Sequence, residues 1–377
     1  VLLIWLIARA QTGIGQILDA IWHDWRLLAD FGALRDLLAN LNAGGGGLYR
    51  SPWLLVIGEP DGARGKLLAG IEGSKRQTPQ QWKLLRRHRL SAWKVLSQGI
   101  LIEGPDEEKA LRDTFDALNR LRPERPLDGV ILTLNAETLL AGNNRRLETI
   151  GKHLRGLLWS IQKSTEFILP VYLVITNSDR IEGFQSFWAQ VPDRQGQICG
   201  WSSPYLLESR FSPSWCSDAL KDLTRQIQDH QGQVLRHIHE YPLAADDTNK
   251  LLRFSPRLAA LVPALTQITT AIFSHDSHTQ PVFFRGLYFA GHMPDRDPPV
   301  GLAELAQEKW FGERYLAEPV RKAILSRARG LRLIQRMTAF CFLLAAGFGA
   351  YALYDVQNQA TELKDAINQR FAARGAA

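Results

Sequence analysis

The sequence predicts an α/β protein with a mostly parallel sheet, helices on both faces of it, a helical extension and a C-terminal transmembrane helix. Three observations support this fold class. Four short apolar runs alternate with helix-length segments, longer helical periodicity begins near residue 203, and residues 337–354 contain no charged side chain. Buried strands that alternate with covering helices are typical of parallel sheets in α/β proteins.

The four predicted strands lie in the first half of the chain. They are residues 53–57, 99–103, 129–134 and 171–176. Their apolar character is nearly continuous, as expected for strands that are covered on both faces. Residues 145–163 repeat leucine and isoleucine at helical spacing, which predicts one of the covering helices. We assign residues 47–202 to this sheet domain.

The pattern changes after residue 202. Residues 220–241 and 258–273 have the periodicity of longer helices, so residues 203–330 are predicted to form a mainly helical extension. Within it, residues 283–289 (FFRGLYF) predict another strand or a buried extended segment. A proline-containing loop at 293–300 is expected to separate that segment from the helices before the membrane.

The C-terminal apolar segment predicts a membrane span. A helix of about 18 residues, rising about 1.5 Å per residue, just crosses a hydrocarbon core of about 30 Å. Residues 337–354 have that length, and six Lys or Arg residues between 321 and 336 precede them. The positive-inside rule then predicts that residues before Met337 are cytoplasmic and those after Tyr354 periplasmic, with 355–377 beginning the periplasmic region. A buried helix of a soluble domain is the alternative.

The N-terminal region also carries a membrane-type signal. Residues 1–8 (VLLIWLIA) are apolar but too short to span a bilayer, and no basic region precedes them. We interpret residues 1–10 as the end of an N-terminal transmembrane helix. Residues 11–46 are predicted to be an amphipathic helical linker that lies against the membrane surface or the next domain. Four consecutive glycines, 44–47, end it.

Composition argues against several classes of function. The net charge of +7 over 377 residues is modest and spread along the chain. No nucleic-acid-binding motif accompanies it, so nucleic acid is not an expected partner. Cys199, Cys216 and Cys341 lack the spacing of a zinc site or a disulfide framework, and the histidines form no HExxH pair. We expect isolated reduced thiols and no metal site.

The first candidate for chemistry follows the first predicted strand. Gly58, Gly62, Gly65 and Lys66 lie between that strand and a helix predicted to begin near Lys66, which is where a phosphate-binding loop would lie. Six residues separate Gly58 from Gly65, more than in the Walker A pattern GxxxxGK, and Leu67 replaces the Ser or Thr that holds Mg²⁺. The loop is either a degenerate P-loop or a glycine-rich turn kept only for structure.

Two further nucleotide-type elements occur in the expected order. Asp179 ends the run Thr176-Asn177-Ser178-Asp179, at the place where GTPases carry [NT]KxD, but Asn177 replaces the lysine. Glu103 ends the second strand, where a DxxG turn would supply the acid associated with Mg²⁺. The order favours descent from a P-loop GTPase-like fold, whereas the altered residues argue against nucleotide turnover.

Five stretches of the chain follow one another in the order of a known protein family. They are Ser51-Pro52-Trp53 leading into Gly58, residues 128–133 (DGVILT), residues 170–176 (PVYLVIT) with Asp179 and Gly183-Phe184, residues 284–289 (FRGLYF), and residues 310–320. On these stretches the chain resembles the TssM/IcmF family, the inner-membrane component of the type VI secretion system. The resemblance implies a cytoplasmic GTPase-like domain between membrane helices.

The resemblance also implies a function. Family members assemble with TssL and the lipoprotein TssJ into a ring-shaped trans-envelope complex, and dock baseplate proteins such as TssK and TssG. We therefore expect a scaffold subunit in the bacterial inner membrane, without catalytic residues or a required cofactor. The alternative is an active GTPase or ATPase that binds nucleotide with Mg²⁺, in which Lys66 reaches phosphate and Asp179 binds the base.

Overall fold

The computed structural model describes two compact units, Val1–Glu318 and Pro319–Ala377. The predicted N-terminal membrane segment (1–10), the linker (11–46) and Gly62 lie outside the described residues. The described residues are 49, 51–59, 64–69, 71, 93–96, 98–122, 124–191, 198–205, 209–237, 243–273, 282–294, 296–313, 315–320, 338, 340–354, 356–358, 360 and 364.

Seven strands of the first unit form one sheet. The four predicted strands are confirmed to within one residue at either end. In chain order the strands are β1 (Trp53–Gly58), β2 (Trp93–Val95), β3 (Ile100–Glu103), β4 (Gly129–Asn135), β6 (Pro170–Thr176), β7 (Gly200–Ser202) and β8 (Phe283–Phe289), while the short β5 (Phe167–Ile168) lies outside this sheet.

The order across this sheet is β2-β3-β1-β4-β6-β8-β7. The five central strands are parallel, and β2 and β7 are antiparallel to their neighbours at the two edges. Every residue of β1 and β6 is buried. A side chain at Gly58 would overlap Thr133, its partner on β4, so the close pairing of these strands requires glycine there.

Helices cover both faces of the sheet, as the sequence predicts. The larger apolar core lies under α2–α8, and the smaller one under α1, α9 and the π-helical segment. The helices are α1 (Arg64–Ala69), α2 (Glu108–Leu121), α3 (Ala136–Ala141), α4 (Asn144–Thr165), α5 (Phe184–Ala189), α6 (Ser214–Arg236), α7 (Ala245–Ala259), α8 (Val262–Phe273) and α9 (Leu302–Glu304), which continues as the π-helical segment Leu305–Trp310.

Two predicted elements differ from the structure. The helix expected over 258–273 is two helices, α7 and α8, and Pro263 lies in the first turn of α8, where its missing N–H costs little. The loop expected at 293–300 is instead a two-stranded antiparallel sheet of β9 (Gly291–Met293) and β10 (Arg296–Val300). Prolines are tolerated there because an edge strand leaves part of its N–H groups unpaired.

The sheet also extends beyond the segment to which the sequence assigned it. β8 lies in the region predicted as a helical extension, yet it pairs in parallel with β6 near the middle of the sheet. The expected strand at 283–289 is thus confirmed, and the sheet is not confined to residues 47–202. The final strand of this region, β11 (Glu318–Pro319), lies at the boundary between the two units.

The second unit contains the apolar helix Phe340–Asn358. It is 19 residues long, with a mean hydropathy of 1.3, and none of it is buried. By length and composition this helix is able to cross a membrane. It overlaps the predicted span 337–354 over residues 340–354, and Thr338 is also helical.

Candidate functional site

The carboxyl edge of the sheet holds a reversal in strand order between β1 and β4. From β1 the chain moves outward to β3 on one side, then returns to β4 on the other side. In open α/β sheets, ligands bind in the crevice at such a reversal. The crevice here is lined by Gly58 and Glu59 at the end of β1, and by Asn135 at the end of β4.

The Glu59 carboxylate occupies this crevice. Only 2% of the residue is exposed. One carboxylate oxygen accepts from Thr138 Oγ1 at 2.7 Å and from Arg146 Nη2 at 3.2 Å, and the other accepts from the backbone N–H of Asn135 at 3.3 Å. Glu59 is not among the site residues predicted from the sequence. One sequence feature could have identified Glu59 as a candidate. It is an acidic residue directly after a buried strand, at the first position of a loop expected to bind phosphate.

The helix predicted near Lys66 is confirmed as α1. The Lys66 backbone lies in its first turn, whereas the Lys66 side chain lies outside the described atoms. A side chain at Gly65 would meet nothing within 4 Å, so close packing does not require that glycine. At the start of this helix, Arg64 donates to the carbonyl of Gly104 at 3.0 Å and pairs with Asp106 at 2.6 Å.

The Arg64 contacts join α1 to the loop that follows β3. Glu103 ends that strand and is partly exposed. The Arg64 guanidinium, which a phosphate-binding loop could offer to a ligand, is therefore paired with the Asp106 carboxylate of the same chain. Glu103 and Asp106 add negative charge on this side of the crevice.

The residues that end β6 also bond to neighbouring elements. Asn177 donates from Nδ2 to Asn135 Oδ1 at 3.2 Å, and Thr176 donates from Oγ1 to the carbonyl of Leu134 at 3.1 Å. Asp179 Oδ1 accepts from the backbone N–H of His292 at 3.0 Å. These bonds tie the end of β6 to β4 and to β9.

Asn135 connects Glu59 to the predicted residue Asn177 at the centre of the edge. Its N–H contacts Glu59, and its side chain contacts Asn177. By contrast, Asp179 is directed to β9.

A family model described as the IcmF-related N-terminal domain matches residues 105–318. The match covers more than half of the 377-residue chain. The chain belongs to the IcmF-related family. The assignment made from the sequence is thereby confirmed. Comparison with curated proteins and with solved structures finds no match.

The IcmF-related match covers only part of the candidate site. It includes β4, β6 and β8 with Asn135, Thr176, Asn177 and Asp179. Gly58, Glu59, Gly65, Lys66 and Glu103 lie before it. The family membership of the chain therefore rests on the part of the sheet that carries Asp179. The candidate phosphate-binding loop does not contribute to it.

The described residues of the first unit also include a cavity and a buried cysteine away from this edge. A cavity of about 320 Å³ lies between α5 and α6, with Phe187, Cys199 and His230 among its lining residues. Burial raises the pKa of the Cys199 thiol to about 12, so it stays protonated and unreactive near neutral pH. The described residues contain no cluster of three or more His, Cys, Asp or Glu side chains able to hold a metal ion.

Proposed function

We propose that this IcmF-related chain is a scaffold subunit of a type VI secretion membrane complex, anchored in the inner membrane and docking the cytoplasmic baseplate. One observation carries the non-catalytic part of this proposal. The polar side chains at the carboxyl edge of the sheet bond to groups of the chain itself: Arg64 pairs with Asp106, and Asp179 accepts from the backbone N–H of His292.

A nucleotide would have to displace several of these contacts. Hydrogen bonds to charged groups are worth about 1.5–3 kcal/mol each, so breaking even two of them uses much of the free energy that a nucleotide's phosphates gain on binding. The buried Glu59 carboxylate would in addition repel those phosphates. An edge of this kind favours a stable docking surface over a site of turnover.

The apolar helix Phe340–Asn358 supports the membrane anchor. Six Lys or Arg residues lie between 321 and 336, against three after the helix (Lys364, Arg370 and Arg374), and this bias favours a cytoplasmic first unit. In this proposal the partners are TssL and TssJ in the envelope, other copies of the chain in a ring, and TssK and TssG on the baseplate side.

A nucleotide-driven switch is the second candidate. The strand order favours it, together with the glycine-containing sequence between β1 and α1. Lys66 at the start of α1 would bind phosphate, and GTP or ATP with Mg²⁺ would be the ligand. Asp179 would have to exchange its contact with His292 for the base.

Lys66→Ala separates the two candidates. The variant is expressed as the only TssM-type subunit in a bacterium that secretes through a type VI system, and secretion and co-purification of TssL are measured. Lys152→Ala is a matched control because its side chain is 70% exposed on α4. The scaffold predicts that both variants secrete and retain TssL. Loss of secretion with Lys66→Ala alone would favour the switch, and failure to retain TssL in the unsubstituted chain would contradict the scaffold.

A further inference from the structure

Three donors of different kinds converge at the crevice between β1 and β4. They are the Thr138 hydroxyl at 2.7 Å, the Arg146 guanidinium at 3.2 Å and the Asn135 backbone N–H at 3.3 Å from the nearest Glu59 oxygen. A guanidinium, a hydroxyl and a backbone N–H together form a donor set typical of sites that bind carboxylate or phosphate oxygens.

The crevice is closed on one side and open on the other. The Glu59 side chain is 3% exposed, whereas that of Arg146 is 55% exposed. Thr138 is buried. A small anion from solvent could therefore reach the three donors past Arg146 if the Glu59 carboxylate were absent.

We propose that these donors form an oxyanion site that the chain fills with its own Glu59. The carboxylate is attached one residue beyond β1, so its effective concentration at the donors far exceeds that of a free anion. The ligand class that fits the emptied site is a small oxyanion such as formate. This inference goes beyond the scaffold role, because it assigns a specific ligand chemistry to one crevice.

Rescue by formate tests the proposal. The full chain is purified in detergent as the Glu59→Ala variant, and its thermal unfolding midpoint is measured in sodium formate and in sodium chloride of equal ionic strength. The expected result is a lowered midpoint in chloride that formate raises by several degrees. The unsubstituted chain should show only the small general difference between the two salts, because its site is already filled.

Glu137→Ala is the matched control. Glu137 lies on the same edge and pairs with Arg180, but its side chain is 55% exposed. Formate should not stabilise this variant more than it stabilises the unsubstituted chain. Adding Thr138→Val to Glu59→Ala removes one donor and should reduce the formate effect. Equal formate shifts in all of these proteins would overturn the proposal.

A double-mutant cycle covers the case in which Glu59→Ala does not fold. Glu59→Gln keeps the length of the side chain and removes its charge, and Arg146→Met removes the guanidinium. The loss of unfolding midpoint in the double variant should differ from the sum of the losses in the two single variants. A loss equal to that sum would overturn the proposal. Nucleotide binding by the unsubstituted chain would contradict the scaffold role without affecting either result, so the two failures are distinguishable.

Discussion

Asp179 Oδ1 accepts a hydrogen bond from the backbone N–H of His292 at 3.0 Å. The family resemblance gives Asp179 the place of the acid that binds a guanine base. In this structure the same carboxylate holds β9 against the turn after β6. Its contact is therefore structural in the absence of nucleotide.

We expect Asp179→Ala to lower the free energy of unfolding by about 1 kcal/mol, because a charge-assisted hydrogen bond is lost at a partly exposed position. Chemical denaturation of the full chain in detergent measures this. Asp179→Asn keeps an acceptor oxygen and should lose less. Full stability of Asp179→Ala would show that the contact is not important for the fold.

Asp128 compensates a fully buried arginine. Its Oδ2 accepts from the Trp53 N–H at 2.8 Å and pairs with Arg122 at 2.9 Å, while its Oδ1 lies 2.8 Å from Arg125 Nε. The Arg122 guanidinium lies 4.7 Å from the Trp53 ring centroid and 5.0 Å from that of Tyr49. Burial lowers the pKa of Arg122, and Asp128 opposes that shift.

Removing the Asp128 side chain should therefore lower the free energy of unfolding severely. Asp128→Ala leaves a buried positive charge without its partner, which costs about 3–5 kcal/mol of unfolding free energy. Asp222→Ala is the control, since its pair with Arg225 is exposed and worth little. Similar denaturation midpoints for the two variants would contradict the importance of the buried pair.

Two buried tyrosines predict alkaline instability of the first unit. Burial raises the pKa of Tyr172 well above its ordinary value, and raises that of Tyr288 to about 12. Above about pH 10 the unfolded chain loses tyrosine protons that the folded chain retains. The stability that these groups contribute is complete below pH 10 and is lost as pH rises towards 12.

Unfolding midpoints measured between about pH 9 and 11 should fall with pH, and Tyr172→Phe should flatten the fall. Tyr205→Phe is the control, because Tyr205 is 40% exposed. An equal pH dependence in all three proteins would contradict the assignment.

The strands could be predicted from sequence because their apolar runs are continuous. β1, β4 and β6 are buried throughout or nearly so, and burial on both faces leaves that pattern in the residues themselves. β2, β7, β9 and β10 were missed because they are short strands at edges or in a separate hairpin, where pairing depends on distant segments.

The candidate site was predicted less completely. Gly58, Glu103 and Asp179 each lie at or just beyond the carboxyl end of a predicted strand. Their position at the carboxyl edge of the sheet could therefore be predicted. The partners of these side chains could not be predicted. Glu59 meets Thr138 and Arg146 across 79 and 87 positions of the chain, and no local pattern encodes such contacts.

In the proposed scaffold role, the carboxyl edge of the sheet does not bind nucleotide. The most direct test of this role is an equilibrium titration of the full chain in detergent with Mg²⁺-GTP and with Mg²⁺-ATP, alongside Lys66→Ala. The scaffold role predicts no saturable binding of either nucleotide at millimolar concentration. Micromolar binding that Lys66→Ala abolishes would contradict it and establish a nucleotide switch.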